Sequence, residues 1–210
     1  MAAKKDARRT TAPAEGAELR ERMLTALRQL LDERRFEAIS VADVIERAGV
    51  SRASFYFYFP GKQAALAELV RRAVAQGREA ATPWTESATA PADALRAGVA
   101  AGARLWHDNA GVLKAIVESW GADDQLRELW LAQMAMFTDA AVARIEADPV
   151  ALRTLAGQDV RAVAASLSWL GERLYYLAAA GVAPFDDREV LVQTLTHAWV
   201  STVYGAVASE

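Results

Sequence analysis

Apolar positions recur at intervals of three and four along nearly the whole chain. Leu19, Met23, Leu27, Leu30 and Leu31 form one stripe. Val41, Val44, Ile45 and Ala48 form a second, and Leu66, Leu69, Val70, Ala73 and Val74 a third. That period belongs to one face of an α-helix. Long Ala/Leu/Val segments continue it and predict helices over 92–108, 110–120, 123–147, 158–180 and 186–208, with few strand signals. The stretches ADPVALRTLAG (147–157) and AGVAPFDD (180–187) read as loops between the last three. Asp186 and Asp187 are placed to cap the start of the final helix and to favour its dipole. The pattern predicts an all-α fold of about nine helices.

One stretch breaks the period. SFYFYFPGK (54–62) alternates Phe and Tyr from Phe55 to Phe59, as an amphipathic strand would. Its flanks overrule that reading. Ser40 with Asp43 approaches a capping box. Eight helical residues follow, and Gly49 supplies the left-handed turn that glycine adopts most cheaply. Val50 fills the gap and Ser51 caps the next helix, which gives a helix-turn-helix. At about 100° per residue, Phe55 and Phe59 share a buried face. Ala53 and Phe57 point outward, Ser54 and Tyr56 flank them, and Tyr58 lies at the edge. Pro60-Gly61 stops the helix and Lys62 opens the next.

The outward face suits a DNA major groove. Arg52 can reach a guanine edge or a phosphate, and Ala53 or Phe57 a thymine methyl. Tyr56, Tyr58 and Lys62 are expected to hold phosphates, which position without reading sequence. Ser40 and Ser51 sit at helix N-termini, where backbone N–H groups favour a phosphate oxygen. Two packed helices of an ordinary core would carry the same glycine turn. The exposed Tyr/Phe/Arg set is what favours DNA.

Charge sharpens this. Residues 1–82 carry 15 Lys+Arg against 11 Asp+Glu, and the remainder 9 against 16. A basic N-terminal part beside an acidic remainder suggests a polyanionic partner. MAAKKDARRTTAPAE lacks periodicity and reads as a disordered basic arm, 1–15. ATPWTESATAPAD (81–93), with two prolines, reads as a helix break. The expected domains are therefore 16–82 and 83–210. There is no cysteine, so disulfides and thiolate metal sites are excluded, and no cofactor is expected. No apolar run approaches the roughly 18 residues of a membrane span and no signal-peptide pattern opens the sequence, so a cytoplasmic protein is expected.

SVADVIERAGVSRASFYFYFPGKQAAL resembles the TetR family of bacterial transcriptional regulators over about residues 17–82. LSWLGERLYYLAAAG (167–181) and VLVQTLTHAWVSTVYG (190–205) are similar to its EthR-like subgroup. The resemblance implies an all-α homodimer, an N-terminal three-helix DNA-binding domain, and a C-terminal domain holding a narrow, mostly apolar ligand channel. It implies DNA contacts at Ser40, Ser51, Arg52, Ala53, Ser54, Tyr56, Phe57, Tyr58 and Lys62. It implies channel positions at Leu95, Gly102, Trp106, Trp130, Phe137, Ser168, Gly171, Tyr176 and Trp199. The chain departs from the subgroup where Gly102 replaces an aromatic and where Ser168 and Gly171 replace asparagines. A serine just before the lysine is Gly61 here.

The residues themselves support a pocket. All six tryptophans follow the helix-turn-helix. With Phe137, Tyr175 and Tyr176 they could line an apolar cavity, or simply fill a core. Gly98 and Gly102 lie on one helix face, where they cost helix stability and suggest close approach or open space. The last two predicted helices are apolar around most of their circumference, which suggests a homodimer interface. Such a dimer would set its two reading helices roughly 34 Å apart on a pseudo-palindromic operator. Two alternatives differ in kind. One is a DNA-binding dimer with a closed C-terminal core. The other is a small helical enzyme. His107-Asp108 point about 100° apart, His197 is isolated in an apolar helix, and no phosphate loop, His-x-x-x-His or Gly-x-Ser-x-Gly is present. The sequence therefore favours a non-enzymatic repressor released from its operator by a small apolar effector.

Overall fold

A computed structural model describes residues 7–86 and 91–205. These form ten α-helices and a short 3-10 turn: α1 (Ala7–Glu33), the turn Phe36–Ala38, α2 (Val41–Ala48), α3 (Arg52–Tyr58), α4 (Lys62–Glu86), α5 (Pro91–Asp108), α6 (Ala110–Ser119), α7 (Asp124–Glu146), α8 (Pro149–Thr154), α9 (Val160–Ala179) and α10 (Arg188–Tyr204). No strand occurs among the described residues.

Three boundaries differ from expectation. The first helix reaches back to Ala7, so residues 7–15 are helical rather than an irregular arm; residues 1–6 lie outside the described set. The fourth helix continues through 81–86, so the expected break narrows to 87–90, which also lies outside it. Pro91 does not disrupt a helix. It begins α5, where a missing N–H costs nothing. The expected loop 147–157 contains α8: Asp148 Oδ1 accepts from the Val150 N–H (2.9 Å) and Pro149 takes the first turn. The last helix is described to Tyr204, and its expected end at Ala208 falls outside the described residues.

Two apolar clusters fill the molecule. The first gathers Met23, Leu27 and Leu30 of α1, Phe55 and Phe59, and Leu66 and Val70 of α4. It then runs without a break into Leu113 and Ile116 of α6 and Trp130 and Met134 of α7. The second joins α5, α7, α8, α9 and α10 around Leu95, Ile145, Leu167 and Leu195. The helix-turn-helix portion is therefore built into the body rather than linked to it. Close approach of α1 and α6 depends on Gly111. A Cβ there would stand 2.8 Å from the Leu31 carbonyl oxygen and 2.7 Å from Asp32 Oδ1. Beside it, Arg28 Nη2 donates to the Asp108 carbonyl at 2.8 Å.

Gly111→Ala should lower unfolding free energy by about 1–3 kcal/mol through overpacking against backbone, measured by urea titration. A helical glycine with free space would instead be stabilised by the same change, by up to about 1 kcal/mol.

Candidate DNA-reading helix and ligand cavity

The helix-turn-helix closes through local chemistry that the sequence announces. Ser40 Oγ accepts from the Asp43 N–H at 3.1 Å, and Asp43 Oδ2 accepts from the Ser40 N–H at 2.7 Å. The Ser40 hydroxyl, which donates to Asp43 Oδ2 at 2.7 Å, and then the Ser40 N–H hold the Asp43 carboxyl below the usual carboxylate range, with help from Arg34. Gly49 ends α2 at φ 61°, ψ 43°. Arg22 then caps that end from α1, donating to the carbonyls of Ala48 (2.6 Å) and Gly49 (2.9 Å). Ser51 Oγ accepts from the Ser54 N–H at 3.0 Å and starts α3.

The aromatic run is helical and sorts as its period predicts. Phe55 and Phe59 are buried, while Phe57 is 81% exposed and Tyr56 45%. Ser51, Arg52 and Ala53 are exposed, and Ser54 is half-buried with its hydroxyl 2.8 Å from that of Ser51. The Arg52 guanidinium lies over the Tyr56 ring, 5.5 Å from its centroid. Tyr58 is half-buried, its hydroxyl turned to Gly16 of α1 so closely that a Cβ there would stand 2.7 Å away. An exposed phenyl ring beside an arginine and a short polar row is chemistry a base edge can meet.

Lys62 differs from expectation. Its ammonium donates to the carbonyls of Phe36 (2.9 Å), Glu37 (3.3 Å) and Ile39 (2.6 Å), and sits 4.5 Å from the Phe36 ring centroid. Burial pulls its pKa down, against the charges of Glu37 and Asp43. A group whose three protons face carbonyls clamps the start of α4 to residues 36–39.

Between α5, α7, α9 and α10 lies a cavity of about 190 Å³. Leu95, Gly102, Trp106, Trp130, Phe137, Ser168, Gly171 and Trp199 all stand on its wall. Tyr176 does not. It faces α6, where its hydroxyl donates to Glu118 Oε1 at 3.0 Å, and it borders a second, more polar cavity of about 310 Å³ against α1 and the 3-10 turn. Tyr175 lines the cavity in its place; helical neighbours point about 100° apart, and here Tyr175 turns toward α5 while Tyr176 turns toward α6. It enters the space left by Gly102, where a Cβ would be 2.6 Å from its hydroxyl, and donates to the Val99 carbonyl at 3.0 Å. Burial pushes that phenol far above its ordinary range. Trp106 meets Trp130 edge-on at 6.4 Å and stacks with Tyr175 at 6.2 Å.

Glu172 also lines this cavity and was not anticipated. It is buried, and its Oε1 has no hydrogen-bond partner; nor has the Trp130 indole N–H. Burial raises its pKa. The Arg173 charge and the Trp130 N–H, close by but outside hydrogen-bond geometry, pull the other way.

Residues 95–205 match the family described as transcriptional regulator EthR, C-terminal domain, and residues 23–69 match bacterial regulatory proteins, tetR family. The chain is 32% identical over 206 residues to the HTH-type transcriptional regulator EthR of Mycobacterium tuberculosis, covering 94% of this chain and 92% of that protein. This chain belongs to the TetR family of transcriptional regulators, in its EthR-like subgroup. The EthR of Mycolicibacterium smegmatis is 30% identical over 204 residues, with 95% and 92% covered. Among solved structures, a transcriptional regulator from Rhodococcus sp. Rha1 matches at TM-score 0.71 and 22% identity, over 91% of this chain and 99% of that one. Salmonella enterica GusR matches at TM-score 0.68 and 18% identity, over 88% and 95%. These two likenesses are of fold alone. TetR regulators bind DNA operators and typically dimerise. No described helix of this regulator is long and apolar enough to cross a membrane, and no cluster of metal-binding side chains occurs among the described residues.

Lys62→Met should lower unfolding free energy by about 1–3 kcal/mol by removing three hydrogen bonds, two of them part-buried, while the salt dependence of DNA binding keeps its slope. A phosphate anchor would behave oppositely, with stability kept and the slope reduced by about one.

Proposed function

We propose that this TetR-family chain is a cytoplasmic homodimeric repressor. It reads a pseudo-palindromic operator with Arg52, Ala53 and Phe57, and leaves it when an apolar effector fills the cavity. The observation that carries the reading is the aromatic-walled cavity, whose wall helix α9 is wired to the helix-turn-helix. On α9, Gly171, Glu172 and Tyr175 line the cavity, and Tyr176 reaches out of it to Glu118. Next to Glu118, Ser119 Oγ donates to Glu37 Oε1 at 3.2 Å. Glu37 belongs to the 3-10 turn that Lys62 clamps to the start of α4. An occupant that rotates α9 therefore pulls on the element that aims α3. It shifts operator binding only so far as it favours one arrangement over the other.

Dimerisation through α9 and α10 is supported by the outward face of α10. Its first two residues, Arg188 and Glu189, are exposed and charged; beyond them Val190, Gln193, Thr194, His197 and Thr202 are exposed, and none is an acid or a strong base. Interface centres are depleted of charge in this way. On α9, Leu170 is also exposed.

The test is fluorescence anisotropy of a labelled duplex from the region upstream of the protein's own gene, beside a scrambled duplex. Binding of the first alone, at two or four chains per duplex, is expected. Equal, salt-steep binding of both would leave only a basic surface. Arg52→Ala should relax base preference at one position per half-site, by about 1–3 kcal/mol. Tyr176→Phe should leave effector-induced tryptophan quenching in place and weaken operator release; full release in that variant would refute the coupling route.

A further inference from the structure

We propose that the cavity selects an apolar effector carrying a protonated amine, with Glu172 as its counter-charge and the aromatic rings around it as its walls. The inference rests on the reading of this cavity as an effector site and names the chemistry it takes.

The polar groups on the wall are few, and most are spent. Ser168 Oγ donates back to the Ala164 carbonyl at 2.9 Å. Tyr175 Oη donates to the Val99 carbonyl at 3.0 Å. Glu172 is different. Its side chain is 3% exposed, Oε1 has no partner, and Oε2 has only the Arg173 Nε at 3.8 Å. Arg173 cannot satisfy it from within. Its guanidinium is half-exposed and lies over the Tyr176 ring, 5.2 Å from the centroid, on the side away from the cavity. A carboxylate withdrawn from water with an unmatched oxygen is costly, and a cation brought into contact recovers the cost.

The rest of the wall points the same way. Trp106 meets Trp130 edge-on at 6.4 Å and stacks with Tyr175 at 6.2 Å, and Phe137 stands on the same wall. Aromatic faces around a buried acid attract ammonium groups through the ring quadrupole. A hydrocarbon would leave Glu172 unmatched, and an anion would meet a like charge. A ketone would find only the Trp130 N–H, and only beside a protonated Glu172. A volume of about 190 Å³ exceeds the roughly 150 Å³ that accepts benzene, so a phenylethyl skeleton is a fair probe.

The experiment titrates the full chain at neutral pH with 2-phenylethylamine and with propylbenzene, its neutral isostere. Tryptophan fluorescence and melting temperature are the readouts. The amine is expected to bind at least about tenfold more tightly, and Glu172→Gln to bring the two within about threefold. Equal or tighter binding of propylbenzene by the natural chain overturns the amine proposal and leaves the effector cavity standing. Binding of neither removes the effector cavity itself, and the amine with it. The comparison in the natural chain decides even if Glu172→Gln does not fold.

Discussion

The placement of the DNA-reading helix depends on one ammonium group. Lys62 stands at the first position of α4, and its protons go to the carbonyls of Phe36 and Glu37 in the 3-10 turn and of Ile39 just after it. The turn itself closes a bond to the Phe36 carbonyl, from the Ile39 N–H at 3.1 Å, and three residues of 3-10 helix close few such bonds. The lysine therefore fixes where α2 enters, and Gly49 and Ser51 fix how α3 leaves it. Arg22 closes the third side from α1. A seven-residue helix has almost no stability of its own. It is held by these three clamps and by two phenyl rings in the core.

The same economy shapes the body. The polar side chains that connect α9, α6 and the 3-10 turn run along a seam outside the cavity. Of those that face the cavity, Ser168 bonds to its own helix and Tyr175 to the backbone of α5. Tyr175 and Tyr176 illustrate the division. One residue apart, the first seals a wall and the second reaches across a seam. Cavity wall and inter-helix seam are thus kept on separate faces of one helix.

Much of this was legible in the sequence, because the signals are local. Capping serines, the glycine between two short helices and the four-residue spacing of Phe55 and Phe59 each act within a turn or two. Asp148-Pro149 was equally local, and the run around it looked too short and too loop-like to be read as a helix. Three features were out of reach for one physical reason. The carbonyls that hold Lys62 lie 23 to 26 residues away. The gap at Gly102 decides between Tyr175 and Tyr176 from more than 70 positions away. A glutamate such as Glu172 ordinarily signals a wet helix face. Long-range packing, not propensity, sets all three.

The uninterrupted core from Met23 to Met134 bears on how such a protein can diversify. A head joined by a flexible hinge could be exchanged between relatives as a module. Here α1, α4, α6 and the first half of α7 share one set of interdigitating side chains. A transplanted head would arrive with half its packing partners missing. Changes confined to the outward residues of α3, or to the cavity wall beyond Trp130, would leave that shared packing intact.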